Sequence, residues 1–139
     1  MRTFHGTVKS GYGVAAANLN PVLRLIELRM GMSGLVEGTL NIQILESYLV
    51  IPTTSILPHE YPLNLTSGLD ETIKLQRCVI RGHKAIIMRP DTHERGMFHG
   101  PKHLELIGSV KFRQLLGLRD ESTVDVEVEG DDVWWEAAI

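Results

Sequence analysis

Gly38-Thr39-Leu40-Asn41-Ile42-Gln43-Ile44-Leu45 alternates strictly, with Leu40, Ile42 and Ile44 set between Thr39, Asn41 and Gln43. A period of two marks a strand with one face in a core. Residues 39–45 therefore read as a half-buried strand with Thr39 and Asn41 on its polar side. A hydroxyl and an amide oxygen then leave one face, two residues apart. Two neutral oxygens of this kind can hold a hard, hydrated cation such as Mg2+ when phosphate oxygens complete the shell. Upstream, Gly11-Tyr12-Gly13 is a glycine-punctuated turn whose backbone N–H groups could face those phosphates. Alone, the turn is an ordinary tight turn, and Thr39 and Asn41 are ordinary solvent-facing strand residues. Together they suggest a nucleotide site without an ordinary P-loop.

The flanking sequence repeats the strand signal. Residues 3–9 read as a strand running into Ser10-Gly11. Asn20-Pro21 opens a helix, with an N-cap residue followed by proline at the first helical position. Val22, Leu23, Leu25, Ile26, Leu28 and Met30 give that helix a broad apolar face, and Gly31 ends it. Pro52, Pro58 and Pro62 break residues 46–73 into loops and short extended pieces. Strands are expected at 72–80 and 84–88, joined by Arg81-Gly82-His83, and again at 103–107. Between them, residues 89–102 read as a long polar loop. Ser109 is expected to cap a helix of about two turns, with Phe112, Leu115 and Leu116 inward and Gly117 as its terminator. Finally, residues 123–129 alternate Val124, Val126 and Val128 with acids. Strands outnumber helices, so the expected fold is mainly β, a small barrel carrying two short helices.

Size and composition set outer limits. A chain of 139 residues is expected to form one domain with a real core. A net charge of −3 and a pI near 6.0 argue against a dedicated nucleic-acid binder. Cys78 is the only cysteine, which excludes a disulfide framework and reads as a small buried hydrophobe. No apolar run approaches the roughly 20 residues of a membrane span, and no signal core is present, so the expected compartment is cytoplasmic. His93, His99 and His103 match no standard metal spacing and read as loop histidines. Trp134-Trp135 reads as a cap over a barrel edge.

Several of these segments fall in a definite order: Gly6-Thr7-Val8-Lys9-Ser10-Gly11-Tyr12-Gly13, Glu37-Gly38-Thr39-Leu40-Asn41, Arg89-Pro90, Leu104-Glu105-Leu106-Ile107 and Lys111-Phe112-Arg113. The series resembles the archaeal-type CTP-dependent riboflavin kinase family, over about residues 4–130. The resemblance implies a six-stranded cradle-loop barrel. It also implies transfer of the terminal phosphate of CTP to the ribityl 5′-hydroxyl of riboflavin, giving FMN and CDP. By that resemblance, Gly11, Tyr12, Gly13, Val14, Ala15 and Ala16 would wrap the nucleotide phosphates. Thr39 and Asn41 would hold Mg2+, and Val110, Lys111, Phe112 and Arg113 would line the nucleotide site near a helix N-terminus that favours anions. Glu105 would meet the ribityl chain, either orienting its hydroxyl or accepting its proton. Ahead of Glu105, His99 takes the family's aromatic position, while Met97 falls where threonine belongs. Thr92 resembles that threonine with an insertion, so Thr92 and His99 join Glu105 as expected flavin contacts. Asp120-Glu121-Ser122 stands in place of the family's Asp-Gly-Asp turn. Other readings on the same barrel are a catalytically silent flavin- or nucleotide-binding module and a DNA-binding regulator, the latter disfavoured by the acidic balance.

Overall fold

Apolar alternation becomes strand along most of the chain, for which the computed structural model describes residues 1–10, 22–60, 71–97 and 100–139. The strands are β1 (Arg2–Lys9), β2 (Leu40–Ile44), β3 (Thr54–Ile56), β4 (Ile73–Ile80), β5 (His83–Pro90), β6 (His103–Ile107) and β7 (Thr123–Val128). Neighbours run antiparallel in the order β4-β5-β6-β2-β1-β7, and β7 pairs back onto β4. Six strands thus close a barrel, as the resemblance implied. β3 stays outside the closure: it pairs with residues 73–75 of β4, while residues 78–80 of the same strand pair with β7.

Residues pointing inward, including Phe4, Val8, Ile42, Ile87, Leu104 and Val126, fill the barrel. Cys78 lies among them, and burial pushes its thiol well above the ordinary range, so it behaves as an inert hydrophobe. The β4–β5 hairpin turns on Arg81 and Gly82, with φ of 46° and 79°. Two left-handed residues are what a two-residue hairpin of the right-handed twist demands. Gly6 answers a different need: a Cβ there would stand 2.4 Å from Ile42 Cγ2 and 2.9 Å from the Gln43 carbonyl oxygen, so β1 presses directly on β2.

A second apolar cluster lies outside the barrel. Helix α1 (Leu23–Met30) joins Leu23, Ile26 and Met30 to one cluster with Ile56 of β3, Ile73 and Leu75 of β4, Ile86 and Met88 of β5 and Ile107 of β6. It ends at Gly31, whose φ of 63° lets its N–H reach the Glu27 carbonyl. The expected Asn20-Pro21 start lies outside the described residues.

Three shorter helices follow among the described residues: α2 (Asp91–Glu94), α3 (Phe112–Leu115) and α4 (Asp132–Ala137), giving two helices more than expected. The stretch 89–102 is therefore not one long loop. Arg89 and Pro90 complete β5, with Pro90 opposite Ile73, and the chain then coils into α2. Its polarity misled because Arg89 is only 1% exposed; it donates to the carbonyls of Tyr48 (2.6 Å) and His103 (2.9 Å) and closes one end of the barrel. Ser109 does not cap α3 either. Lys111 holds the N-cap position, the helix is a single turn, and Leu115 faces solvent, although Gly117 does end the turn with φ of 62°. So short a helix carries little dipole, and any anion preference there rests on side-chain charge. In α4, Asp131 accepts the Trp134 N–H at 2.8 Å, and Trp135 is buried beneath Arg77 and Lys84. Among the described residues, no helix is long and apolar enough to cross a membrane.

Candidate functional site

β2 and β6 pair so that Asn41 stands opposite Glu105 and Gln43 opposite His103. Directly opposed residues share a face. Since Ile42 and Leu104 point inward, Asn41, His103 and Glu105 stand together on the outer wall. The polar side of the strand lies where alternation put it: Gln43 is exposed there, but Asn41 is not. Thr39 immediately precedes β2, and Asn41 and His103 are each 7% exposed. Asn41 Oδ1 lies 2.8 Å from His103 Nε2, and Asn41 Nδ2 donates to Thr39 Oγ1 at 3.4 Å. Segment 31–38 is tied to the end of β6 by the Val36 N–H on the Gly108 carbonyl (3.0 Å) and to α1 by the Leu35 N–H on the Glu27 carboxylate (2.8 Å). The Leu35 bond, with Arg24, holds the Glu27 carboxyl below its ordinary range.

Next to the wall opens a cleft of about 230 Å³, lined on one side by Glu37, Gly38 and Thr39 and on the other by Gly108, Val110, Lys111, Phe112 and Arg113. Two stretches expected to serve one site, roughly seventy residues apart in sequence, therefore meet across one hollow. Its size falls just short of the roughly 300 Å³ at which small-molecule sites begin. Phe112 lines the cleft and is also inward, as expected: its side chain is buried in the barrel core, and its ring lies so close to Gly108 that a Cβ there would be 2.5 Å away. Lys111 is exposed and Arg113 half-buried. Arg113 Nη2 donates to the Lys9 carbonyl (3.1 Å) and to Asp120 (2.6 Å), and Asp120 also takes the Ser10 hydroxyl (2.7 Å). Those two hydrogen bonds hold the Asp120 carboxyl below its ordinary range. The end of β1, which leads into Gly11, is thereby fastened to the cleft's rim. Gly11, Tyr12, Gly13, Val14, Ala15, Ala16 and His99 lie outside the described residues. In the turn beneath, Glu121 adopts φ of 72°, the left-handed conformation for which glycine is the easy choice.

A cation at this cleft would have a particular donor set. Among the described residues no group of three or more His, Cys, Asp or Glu could hold a metal. Thr39 and Asn41 converge within hydrogen-bond reach, and a hydroxyl and an amide oxygen are hard donors. Such a pair fits a cation that takes few protein ligands and fills its shell from phosphate and water.

Glu105 stands across from Asn41, half-buried. Burial raises its carboxyl from 4.5 to about 7, with the positive charge of Arg89 opposing the rise. Thr92 is not brought to the cleft. Its N–H and hydroxyl both go to Glu71 (2.8 Å each), just past β5, whose end adjoins the start of β6; the cleft adjoins the other end. Sequence reasoning missed the parts played by Arg89 and His103, reading one as loop and the other as a loop histidine. The available signal was spacing: His103 lies two residues before Glu105 and so shares its face.

Residues 8–128 match the family model named for CTP-dependent riboflavin kinases and described as a domain of unknown function, DUF120. The chain belongs to that family. It is 33% identical over 129 residues to a riboflavin kinase of Pyrobaculum arsenaticum, covering 88% of this chain and 59% of that one. It is 31% identical over 98 residues to a riboflavin kinase of Methanocella arvoryzae, covering 66% and 40% respectively. The chain thus spans between two-fifths and three-fifths of those relatives.

Proposed function

We propose that residues 1–139 work as one riboflavin kinase domain, moving the terminal phosphate of CTP to the ribityl 5′-hydroxyl of riboflavin and giving FMN and CDP with Mg2+. The observation that carries this reading is the single cleft in which Gly38-Thr39 faces Val110, Lys111 and Arg113, beside the Asn41–Glu105 pair. The names of the relatives support the acceptor, and the name of the family supports the nucleotide.

Phosphoryl transfer asks a protein mainly for alignment and charge neutralisation. Lys111 and Arg113 bring positive charge to the cleft, where it draws the nucleotide phosphates. Thr39 and Asn41 would hold Mg2+, which would supply charge neutralisation for the phosphates. Glu105 takes the ribityl hydroxyl proton; a carboxyl near 7 is matched to that task at neutral pH. Incubating the protein with riboflavin, CTP and Mg2+ and separating the products by chromatography tests the reading. FMN formation supports it. Binding of riboflavin or CDP with no FMN identifies a silent binding module instead, and turnover with ATP or GTP but not CTP removes the nucleotide assignment.

A further inference from the structure

Asn41 has two polar ends, and only one can hold a cation. Its Oδ1 carries lone pairs, whereas its NH2 only donates. In the structure Oδ1 faces His103 Nε2 at 2.8 Å, and the NH2 faces Thr39 Oγ1 at 3.4 Å. A half-turn of the amide exchanges these ends with almost no change in shape. The imidazole accommodates both senses, because Nε2 donates in one tautomer and accepts in the other. With both residues 7% exposed, water is a poor substitute for either partner.

We propose that His103 is a positioning residue of the kinase site: by accepting the Asn41 amide hydrogen at Nε2, it turns Oδ1 toward Thr39 Oγ1 and completes the protein's share of the cation site. This rests on the reading of Thr39 and Asn41 as cation ligands. His103 itself touches neither cation nor substrate. The backbone already fixes it: Gln43 pairs with His103 next to the Asn41–Glu105 pair, and Arg89 holds the His103 carbonyl at 2.9 Å. The arrangement has two states. Without a cation, the NH2 donates to the Thr39 hydroxyl, as seen. With one, two oxygens face each other across it, and the hydrogen bond to His103 reverses.

Two measurements on the full chain test this. Mn2+ binding, followed by electron paramagnetic resonance with CDP present, should weaken on the order of ten- to a hundredfold in His103→Leu, as loss of a ligand's supporting partner commonly does. His103→Gln, whose amide can accept from Asn41, should stay within about threefold of wild type. Imidazole 15N spectra at fixed pH should show His103 Nε2 passing from a protonated to an unprotonated nitrogen when Mg2+ and CDP are added. That readout uses the unaltered protein and does not depend on either variant folding. Undiminished Mn2+ affinity in a folded His103→Leu, or Nε2 that keeps its proton with Mg2+ bound, overturns the proposal. A wild-type chain that binds no Mn2+, or a Thr39→Ala/Asn41→Ala variant that binds it unchanged, overturns the cation assignment beneath it.

Discussion

Replacing Glu105 by glutamine removes a charge from the barrel wall while keeping the side chain's shape. Burial raises this carboxyl from 4.5 to about 7 in the folded protein. The fold therefore prefers the protonated acid, and ionisation opposes folding. The cost begins as pH passes the ordinary carboxylate value and is complete above about 7. Linkage makes it about 3 kcal/mol at pH 8 and under about 1 kcal/mol at pH 5. Glutamine is neutral at both pH values. Glu105→Gln should therefore gain about 2 kcal/mol on wild type between pH 5 and pH 8, and any fixed effect of the amide cancels in that difference. Urea unfolding followed by tryptophan fluorescence at the two pH values measures it, provided the slope with denaturant is unchanged. FMN formation should fall by on the order of a hundredfold or more, the usual scale for losing a general base. The same variant would then be steadier and slower. A stability difference equal at pH 5 and pH 8 refutes the assigned burial of the charge, and unchanged turnover refutes its role as base.

Thr39→Ala combined with Asn41→Ala should abolish FMN formation while the far-ultraviolet circular dichroism keeps its β signature; retained activity sinks the cation assignment. Arg113→Ala should raise the KM for CTP on the order of tenfold, about 1.4 kcal/mol of binding, while costing under about 1 kcal/mol of stability, because its pair with Asp120 is partly exposed. Steady-state kinetics and thermal melting separate the two effects. Gly6→Ala should destabilise by about 2 kcal/mol, since its new Cβ meets Ile42 and the Gln43 carbonyl with nowhere to move. A melting temperature equal to wild type would remove the close β1–β2 approach.

Much of the barrel was legible because period-two alternation survives wherever one face is buried. It marked β2 to within a residue at each end and all but the last residue assigned at β7. Gly31 and Gly117 announced helix ends through a conformation only glycine takes easily. Alternation assigns sides, however, and does not say what lies against them. Asn41 was placed on the correct face yet read as solvated, because its burial comes with tertiary neighbours such as His103 that alternation along one strand does not reveal. Arg89 read as loop for a related reason: its burial depends on carbonyls of Tyr48 and His103 that only the closed barrel brings together. β3 was legible only as one of the short extended pieces expected within residues 46–73, because three residues among prolines carry no pattern of their own; it exists by pairing with β4. In α4 the signal was present, an aspartate three residues before the tryptophan whose N–H it caps, but it is short. The cleft itself joins segments that no local pattern relates.

The pairing of β2 with β6 also fixes what can go wrong during synthesis and evolution. One set of residues on β2, Leu40, Ile42 and Ile44, packs the interior, and the intervening Asn41 faces Glu105. Sliding the strand by one residue would expel the first set and draw in the second, so a misaligned chain could not hide its error in a folded molecule. Structural integrity and chemical competence are thus proofread together: a chain that has closed this barrel has already set Asn41 opposite Glu105. Insertions and deletions of a single residue are barred from this short stretch, whereas substitutions on its outer face leave the interior untouched. New chemistry on this scaffold would arise by exchange of side chains along the wall, without any change in strand length.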